Sequence, residues 1–467
     1  MKNTLLSAFL ILISFTVFAQ DISGQWNGIL KLPGAQLRLV VNFTKTPTGF
    51  SATLDSPDQG ANGIPVNTVD YSHPILKLTM TSLNAEYSGA LDAENNFKGI
   101  FKQNGQAFPL DLSRKVIEKV AIVRPQDPVK PYPYYSEDVK FLNEKDKITL
   151  AGTLTLPKKE GNYPAVILIS GSGPQNRDEE LAGHKPFLVL SDYLTKNGIA
   201  VLRYDDRGTA QSTGDFALGT TKDFASDVES AIAYLKTRKE INNKKIGLIG
   251  HSEGGLIAPM VAVDSKDVAF IVLLAGPGLT GEDILIKQSR LIGKANGLSD
   301  DELNQADQTN KKIYGILKEK TDLNEIKKEL TVIFDDALNQ IPAANQPPAE
   351  QKTAYVSQAV NRIATPWFKF FVSYDPVPAL EKVKCPVLAF NGEKDLQVPP
   401  KEDLETIKMA LEKGGNKNVT TKLLPNLNHL FQESTTGSPT EYDKIEQTFS
   451  PVALIEISDW IKKTVLK

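Results

Sequence analysis

Residues 244–260 read KKIGLIGHSEGGLIAPM, a stretch in which a Gly-x-Ser-x-Gly pattern centred on Ser252 separates two apolar segments. The three fixed positions recur by chance in roughly one chain in six of this length, so the flanking residues must carry the interpretation. Residues 246–249 are typical of a buried strand and residues 256–262 of a buried helix. A serine on such a turn projects its hydroxyl into the open, because glycines keep the strained turn clear of side chains. The stretch therefore predicts a nucleophile on a strand-turn-helix junction.

The residues after position 135 alternate between short apolar runs and helical stretches. The apolar runs read AVILISG, GIAVLRYD, KIGLIG, AFIVLLAG, PVLAFNG and VTTKLLP. Between them, helical spacing joins Phe224, Val228, Ile232 and Leu235. Strands that are apolar on both faces and separated by helices predict a mostly parallel α/β sheet.

One connection between these strands is much longer than the others. About 100 residues separate the strand that ends at Gly276 from the one that starts at Cys385. This segment is charged and largely helical in pattern, and Asp300-Asp301-Glu302 marks a predicted helix start. An insertion of that size, at the end of a sheet where loops carry function, predicts a helical cap over about residues 278–380.

Residues 21–118 have a different period. Apolar residues occupy every second position from Leu37 to Phe43, from Phe50 to Leu54 and from Leu76 to Met80, and Asn104-Gly105 is a hairpin signal. The sequence predicts a small antiparallel β-barrel or β-sandwich domain. The four prolines of RPQDPVKPYPYY (residues 124–135) then predict a stiff, extended linker over residues 119–135, which leaves residues 136–467 for the α/β domain.

The first twenty residues, MKNTLLSAFLILISFTVFAQ, combine Lys2, an apolar core and small residues near Ala19. This pattern predicts a secretory signal peptide, and an uncleaved membrane anchor is the alternative. No cysteine follows the apolar core, and the sole cysteine of the chain, Cys385, lies in an apolar strand. We therefore expect an exported protein, periplasmic or secreted, with neither a lipid anchor nor a membrane span in the mature chain.

A serine nucleophile needs a general base, and the chain has four histidines. His73 lies in the β domain, and His184 follows the first long loop. His251 adjoins Ser252, but adjacent residues on such a turn point apart, which indicates a packing role. His429, in LPNLNHLFQ just past a predicted strand, is therefore the predicted base.

The acid that orients this base is predicted to be Asp395, which lies in AFNGEKDLQVPP directly after a buried strand. Asp375 precedes that strand and Glu393 lies two residues before Asp395, and both remain alternatives. The order Ser252, Asp395, His429 is the order found in α/β hydrolases.

The negative oxygen of a tetrahedral intermediate needs preorganised N–H donors. One predicted donor is the backbone of Glu253. The other is the backbone of Ser172, which has a glycine on each side in SGSGPQNRDE. The Glu253 carboxylate is expected in the first turn of the following helix, where negative charge is favoured.

Two further groups of residues were considered for a structural or a functional role. A dense aromatic cluster could line an acyl pocket under the cap or belong to a core, and its members are Trp367, Phe368, Phe370 and Phe371. Asp206 and Arg207 are predicted to form an ion pair that fixes their loop.

The composition excludes several other classes of function. A net charge of −3 and an isoelectric point near 6.0 give no reason to expect nucleic-acid binding. Four histidines and one cysteine are too few and too scattered for a metal-ligand cluster. The chain has no dinucleotide or P-loop fingerprint, so no cofactor or metal is expected.

Five segments in order resemble the capped α/β-hydrolase family of bacterial esterases, which is related to the serine aminopeptidase and dienelactone-hydrolase groups. They read LISGSGPQNRDE, YDDRGTAQSTGDF, GLIGHSEGGLIAP, WFKFFVSYDPVPALEKVKCPVLAFNGEKDLQV and LNHLFQ. The resemblance extends from about Tyr135 to the C-terminus and implies the same nucleophile, acid, base and oxyanion donors. Relatives often have a second glycine where this chain has Ala210, which reduces backbone freedom in a structural loop.

The sequence thus favours an exported serine hydrolase, a carboxylesterase that cleaves small or medium esters. An aminopeptidase or another amide hydrolase with the same three residues is the alternative among enzymes. In another class, the β domain would bind a lipid or glycan and the hydrolase fold would be inert.

Overall fold

The structure is a computed structural model that describes residues 21–32, 35–59, 61–103, 106–118, 124–340, 346 and 352–465. The predicted signal peptide and the predicted Asn104-Gly105 turn lie outside these residues. The described residues divide into two compact units, of which the first contains the residues up to 118 together with 346 and 352–355, and the second contains 124–340 and 356–465. None of the described helices is long and apolar enough to cross a membrane.

The first unit is built from antiparallel strands in two sheets. Their bounds are β1 (Gly24–Leu32), β2 (Ala35–Thr46), β3 (Gly49–Ser56), β4 (Ala61–Val66), β5 (Thr68–Ser72), β6 (Ile75–Met80), β7 (Ala85–Leu91), β8 (Phe97–Gln103) and β9 (Gln106–Pro109). One sheet has the order β1-β2-β3-β4 and the other β5-β6-β7-β8-β9. Short 3₁₀ turns follow at Pro57–Gln59 and Thr81–Leu83.

Both sheets of this unit bury their apolar side chains in one core. The alternation seen in the sequence is the burial pattern of the strands, since Leu39 and Val41 of β2, Leu54 of β3, and Leu76 and Leu78 of β6 are all buried there. The predicted antiparallel β fold is confirmed, and it has two sheets around a shared core.

The second unit contains an eight-stranded sheet of order β10-β11-β13-β12-β14-β15-β16-β17. Its strands are β10 (Tyr135–Asn143), β11 (Ile148–Leu156), β12 (Tyr163–Ile169), β13 (Ala200–Tyr204), β14 (Ile241–His251), β15 (Val268–Leu274), β16 (Val387–Gly392) and β17 (Val419–Leu424). The pairs β10–β11 and β11–β13 are antiparallel, and the remaining pairs are parallel. The prediction of a mostly parallel sheet is confirmed.

Helices cover both faces of this sheet, which explains why strands such as β12 and β15 carry apolar residues on both faces. On β12, Ile167 belongs to one core and the adjacent Leu168 to the other. The first core includes residues of α2 (Thr221–Lys236), α3 (Gly254–Asp264) and α10 (Pro400–Lys413). The second includes residues of α1 (Pro186–Lys196) and α11 (Pro451–Val465). A 3₁₀ turn lies at Pro439–Glu441.

The long connection between β15 and β16 is helical, as predicted. It contains α4 (Gly281–Ala295), α5 (Asp300–Glu319), α6 (Leu323–Gln340), α7 (Lys352–Ile363), α8 (Pro366–Ser373) and α9 (Val377–Leu380). Helix α5 begins at the predicted acidic run, where Ser299 and Glu302 form a capping box. Residues of α5 to α8 share an apolar cluster of their own, so the insertion has its own core.

The segment that was predicted to be an extended linker has side-chain contacts at its start and a strand residue at its end. Residues 119–123 lie outside the described residues, but the buried side chain of Arg124 donates hydrogen bonds to the carbonyl oxygens of Ala182 (3.2 Å), Asp443 (2.9 Å) and Ile445 (2.7 Å). Tyr135, the last residue assigned to the linker, already starts β10. The prolines thus mark a segment whose start is fixed to the second unit by side-chain bonds that composition does not reveal.

Candidate active site

Ser252 lies on the turn between β14 and α3 in a strained backbone conformation. Its φ of +52° is in the left-handed region, which costs energy for any residue but glycine. The turn is held by a hydrogen bond of 2.9 Å from the Ser252 N–H to the carbonyl oxygen of Leu274. A Cβ on Gly250 would lie 1.9 Å from the carbonyl oxygen of Gly254. The turn therefore needs a glycine at that position for steric reasons.

His429 and Asp395 form a buried hydrogen-bonded pair. The Nδ1 of His429 lies 2.7 Å from Oδ2 of Asp395, and both residues are at most 3% exposed. The other carboxylate oxygen of Asp395 accepts the backbone N–H groups of Gln397 (2.7 Å) and Val398 (2.9 Å). This arrangement fixes the carboxylate and leaves Nε2 of His429 as the nitrogen that faces away from it.

The two alternative acids lie elsewhere. Asp375 accepts the backbone N–H of Val377 at 3.0 Å, within the turn before α9. Glu393 accepts the backbone N–H of Asn426 at 3.2 Å. Of the three carboxylates considered, Asp395 is the one bonded to His429.

Ser252 and His429 line one cavity of about 180 Å³ together with Gly171 and Ser172. Among the described residues, no hydrogen bond joins Ser252 Oγ to His429 Nε2. Such catalytic bonds are often long until substrate binds. A Cβ on Gly171 would lie 3.2 Å from Cβ of Ser252, so the loop after β12, the oxyanion loop (residues 170–179), is in contact with the serine.

The two predicted oxyanion donors lie close to Ser252. Ser172 lines the cavity, and Glu253 directly follows Ser252. Within the described part of the chain, neither backbone N–H takes part in a hydrogen bond. Both groups are therefore available as donors to a bound oxygen.

The Glu253 carboxyl group is placed differently from the expectation. Glu253 is the N-cap residue of α3 and is only 2% exposed, so its carboxyl group does not face solvent. Its Oε1 accepts hydrogen bonds from the Thr221 hydroxyl (2.6 Å) and from the indole N–H of Trp367 (2.8 Å). Burial raises the pKa of this carboxyl group, although the bonds from Thr221, Trp367 and Ser172 oppose the shift.

His251 is buried, as a packing residue would be, but both its ring nitrogens have partners. Nδ1 lies 2.9 Å from Oε1 of Glu179, and Nε2 lies 3.0 Å from the carbonyl oxygen of His429. The same Glu179 oxygen accepts the backbone N–H of Gly171 at 2.9 Å. The side chain next to Ser252 is therefore bonded to the segments that carry His429 and Ser172.

The aromatic cluster divides into two sets. Trp367 and Phe371 line the cavity and stack with their ring centroids 5.0 Å apart. Phe368 instead packs against the apolar cluster of the insertion, with its ring 6.1 Å from that of Tyr314, and is not among the lining residues. Phe370 stacks on Tyr374 at 5.6 Å. Successive residues of α8 point to different sides of the helix. The aromatic side chains therefore do not all face the cavity, although the rings of Trp367 and Phe368 are in edge contact with their centroids 5.6 Å apart.

The predicted ion pair between Asp206 and Arg207 is wrong. Arg207 Nε bonds to Asp227 at 2.8 Å, and its Nη2 bonds to Asp146 at 2.8 Å. The carboxyl group of Asp206 accepts the Ser170 hydroxyl (2.8 Å) and the Gln175 N–H (2.9 Å) at the oxyanion loop. Adjacent side chains again point apart, and each finds partners far along the chain.

Glu179 and Thr221 were not predicted from the sequence, and they bond to the two neighbours of Ser252, His251 and Glu253. The position of Glu179, in a glycine-rich loop after a strand, could have indicated a functional residue. Nothing in the local sequence, however, distinguishes Glu179 from its neighbour Glu180. Other polar residues along the cavity are Gln175, Gln288 and Gln397. Among the described residues, no group of three or more His, Cys, Asp or Glu side chains could hold a metal ion.

The sequence profile of the X-Pro dipeptidyl-peptidase (S15) family matches residues 146–417, which is more than half of the chain. The chain belongs to the S15 family. The matched range of this S15 protein contains Ser252 and Asp395 and ends before His429. Together with the mostly parallel sheet and the helical insertion, it confirms the expected α/β-hydrolase fold.

Individual relatives of the S15 protein include an esterase. Esterase EstD of Thermotoga maritima is 27% identical over 329 residues, which cover 70% of this chain and 69% of EstD. An uncharacterised 31.7 kDa protein in the traX-finO intergenic region of Escherichia coli is 24% identical over 274 residues, or 56% of this chain and 84% of that protein. The S15 protein is thus a member of a hydrolase family with an esterase among its relatives.

Solved structures that are similar to this chain include two proteins of low sequence identity. The α/β hydrolase GrgF from Penicillium sp. sh18 is 18% identical with a TM-score of 0.44, and the match covers 71% of this chain and 100% of GrgF. The Pyrococcus furiosus esterase Pf2001 is 16% identical with a TM-score of 0.43, over 73% of this chain and 99% of the esterase.

Proposed function

We propose that this protein is a serine carboxylesterase that cleaves small or medium acyl esters, with Ser252 as nucleophile, His429 as general base and Asp395 as the acid that orients it. The observation that carries the proposal is the bond of 2.7 Å between His429 and the buried Asp395, because His429 lines one cavity together with Ser252, which lies on a strained turn. The name of the relative EstD supports an ester substrate.

The reaction begins when Ser252 Oγ attacks the ester carbonyl carbon while Nε2 of His429 takes its proton. Asp395 accepts the Nδ1–H of the resulting imidazolium and stabilises its charge. The oxyanion of the tetrahedral intermediate accepts the N–H groups of Glu253 and Ser172. His429 then gives the proton to the leaving alcohol. The alcohol departs, and the acyl group stays bonded to Ser252 Oγ.

Water completes the cycle by the same steps. His429 takes a proton from a water molecule, whose oxygen attacks the acyl carbon, and the oxyanion again lies at the two N–H groups. The intermediate collapses, the acid leaves, and the proton returns from His429 to Ser252 Oγ. No cofactor is needed for any of these steps.

The cavity supports acyl groups of modest size. Its volume is about 180 Å³, which is below the usual range of drug-sized ligand pockets. The apolar part of its wall consists of Leu181, Pro277, Ile284, Leu285, Trp367, Phe371, Val398 and Leu430.

An amide hydrolase is the second candidate function. The description of the family as X-Pro dipeptidyl-peptidase supports this candidate. The same three residues would perform the same chemistry on an amide.

The test of the proposal is labelling of the folded protein with a fluorophosphonate probe, followed by peptide mass spectrometry. We expect the label on Ser252, and a Ser252→Ala variant should take up no label and lose several orders of magnitude in turnover of 4-nitrophenyl acetate. Labelling that is absent in wild type would contradict the proposal. A panel of 4-nitrophenyl esters and aminoacyl anilides distinguishes the two candidates, since activity on anilides alone would favour the amide hydrolase.

A further inference from the structure

The His251 ring lies between two hydrogen-bond acceptors. Nε2 faces the carbonyl oxygen of His429 at 3.0 Å, and a carbonyl oxygen can only accept, so Nε2 carries a proton. Nδ1 faces Oε1 of Glu179 at 2.9 Å. That oxygen also accepts the N–H of Gly171 at 2.9 Å, which is the behaviour of an ionised carboxylate. The second ring nitrogen of His251 therefore also carries a proton.

A second buried histidine provides an internal comparison. His184 has Nε2 at 2.8 Å from the carbonyl oxygen of Tyr442 and Nδ1 at 2.9 Å from the hydroxyl of Thr448. Because a hydroxyl can donate, a neutral ring satisfies both contacts. Burial lowers the pKa of His184. Burial also acts to lower the pKa of His251, but the charge and hydrogen bond of Glu179 and the His429 carbonyl outweigh it, so that the pKa of His251 is raised.

We propose that His251 and Glu179 form a buried imidazolium–carboxylate pair, the positioning pair, that fixes the nucleophile, the base and the oxyanion loop relative to one another. His251 immediately precedes Ser252, its Nε2–H holds the backbone of His429, and Glu179 holds the N–H of Gly171, the residue before Ser172. One pair of side chains thus joins all three segments. The existence of the pair is inferred from the contacts alone. Its role in positioning the three segments rests on the proposed function.

The charges around His251 show how a protonated His251 is compatible with the proposed reaction. The His429 ring lies 4.8 Å from the His251 ring, centroid to centroid, and becomes positive during the reaction. An imidazolium at His251 alone would oppose that second positive charge. The Glu179 carboxylate neutralises it, and the Asp395 carboxylate faces the same two rings. His251 can then donate two bonds without opposing protonation of His429.

The protonation of His251 can be measured without any activity assay. In protein labelled with ¹⁵N-histidine, correlations from the carbon-bound ring protons report whether each ring nitrogen bears a proton, and a His251→Gln variant assigns the signals. We expect two protonated nitrogens for His251 near neutral pH and one for His184. A His251 with a single protonated nitrogen would overturn the proposal, whether or not the serine labels with fluorophosphonate.

Kinetics of the Glu179→Gln variant then test what the pair does. The amide oxygen still accepts the Gly171 N–H, but the charge is gone, so we expect His251 to lose one proton. We expect kcat on 4-nitrophenyl acetate to fall on the order of tenfold to a hundredfold with KM within about threefold, because misplaced groups affect the reacting geometry more than binding. The alkaline limb of the pH profile should move to lower pH. Glu179→Asp, which keeps the charge, should recover part of kcat.

The neighbouring exposed residue supplies the matched control. Glu180→Gln removes the same charge one position along and should leave kcat within about twofold. A Glu179→Gln variant with unchanged kcat and a doubly protonated His251 would contradict the proposal. If wild type labels at Ser252 and hydrolyses esters while His251 is neutral, the positioning pair fails and the proposed function stands.

Discussion

Oε1 of Glu253 accepts a hydrogen bond of 2.8 Å from the indole N–H of Trp367. Glu253 directly follows Ser252, and Trp367 belongs to helix α8 of the insertion. The bond therefore joins the turn that carries Ser252 to a wall of the cavity. The Thr221 hydroxyl donates to the same oxygen at 2.6 Å, so the buried carboxyl group links three separate segments of the second unit.

The first prediction separates the Glu253 side chain from its backbone. In Glu253→Gln the amide oxygen can accept both bonds, and the backbone N–H is unchanged, so we expect activity on 4-nitrophenyl esters within about threefold of wild type. In Trp367→Phe the indole donor is lost from a buried acceptor, and we expect the unfolding free energy to fall by about 1 kcal/mol and KM to rise. A loss of more than about a hundredfold in a folded Glu253→Gln protein would instead assign the carboxyl group a catalytic role.

The second prediction concerns acyl-chain length. Phe371 lines the cavity and Phe368 does not, although both lie on α8. We expect Phe371→Ala to enlarge the cavity and shift the preferred 4-nitrophenyl ester towards longer acyl chains. Phe368→Ala is the control, because it removes the same atoms from the core of the insertion and should lower stability without changing the preferred length. A shift in chain length with Phe368→Ala would contradict the division of the aromatic cluster.

The features that the sequence predicted are those decided by neighbours in the chain. The strand-turn-helix around Ser252 follows from apolar runs and from glycines whose replacement would clash within the turn. The pairing of Asp395 with His429 was predictable because each follows a strand, and the ends of parallel strands meet at one edge of the sheet.

The features that the sequence did not predict depend on contacts between distant segments. His251 and Glu179 are 72 residues apart, and Trp367 and Glu253 are 114 apart. Charge attraction between Asp206 and Arg207 suggested a pair, but the backbone directs the two side chains to different partners. Residue type and spacing do not specify such contacts, because the direction of each side chain is set by the fold.

The third prediction concerns Ala210, which lies in the loop between β13 and α2. Its φ of +47° lies in the left-handed region, which costs a non-glycine residue about 1–2 kcal/mol. Glycine relieves this strain but adds about 0.4–1 kcal/mol of unfolded-state entropy. We therefore expect Ala210→Gly to raise the unfolding free energy by about 0.5 kcal/mol in urea titrations. Ala217→Gly, in the same loop at a residue without positive φ, should lower it, and equal effects of the two changes would contradict the strain argument.

The fourth prediction is a pH dependence of stability that arises from Asp206. Burial raises the pKa of this carboxyl group from its ordinary value of 3.8 to about 8, with the charges of Glu253 and Glu179 acting in the same direction and the bonds from Gln175 and Ser170 opposing them. Between these two pH values the folded protein holds a proton that the unfolded chain has released. The unfolding free energy must therefore fall as pH rises from about 4 to about 8, by up to about 1.4 kcal/mol per pH unit, and level off above.

Asp206→Asn should remove this contribution, because an amide can accept the Gln175 N–H and donate to the Ser170 hydroxyl at every pH. We expect the variant to gain stability relative to wild type as pH increases from about 5 to about 8 in urea unfolding. Asp205→Asn is the control. Its carboxylate is bonded to Arg177, which together with backbone bonds overcomes burial and lowers the pKa of Asp205, so its contribution is already complete above about pH 5. Asp205→Asn should thus reduce stability by a similar amount at each pH. If the difference in unfolding free energy between Asp206→Asn and wild type were also independent of pH, Asp206 would be ionised throughout this range.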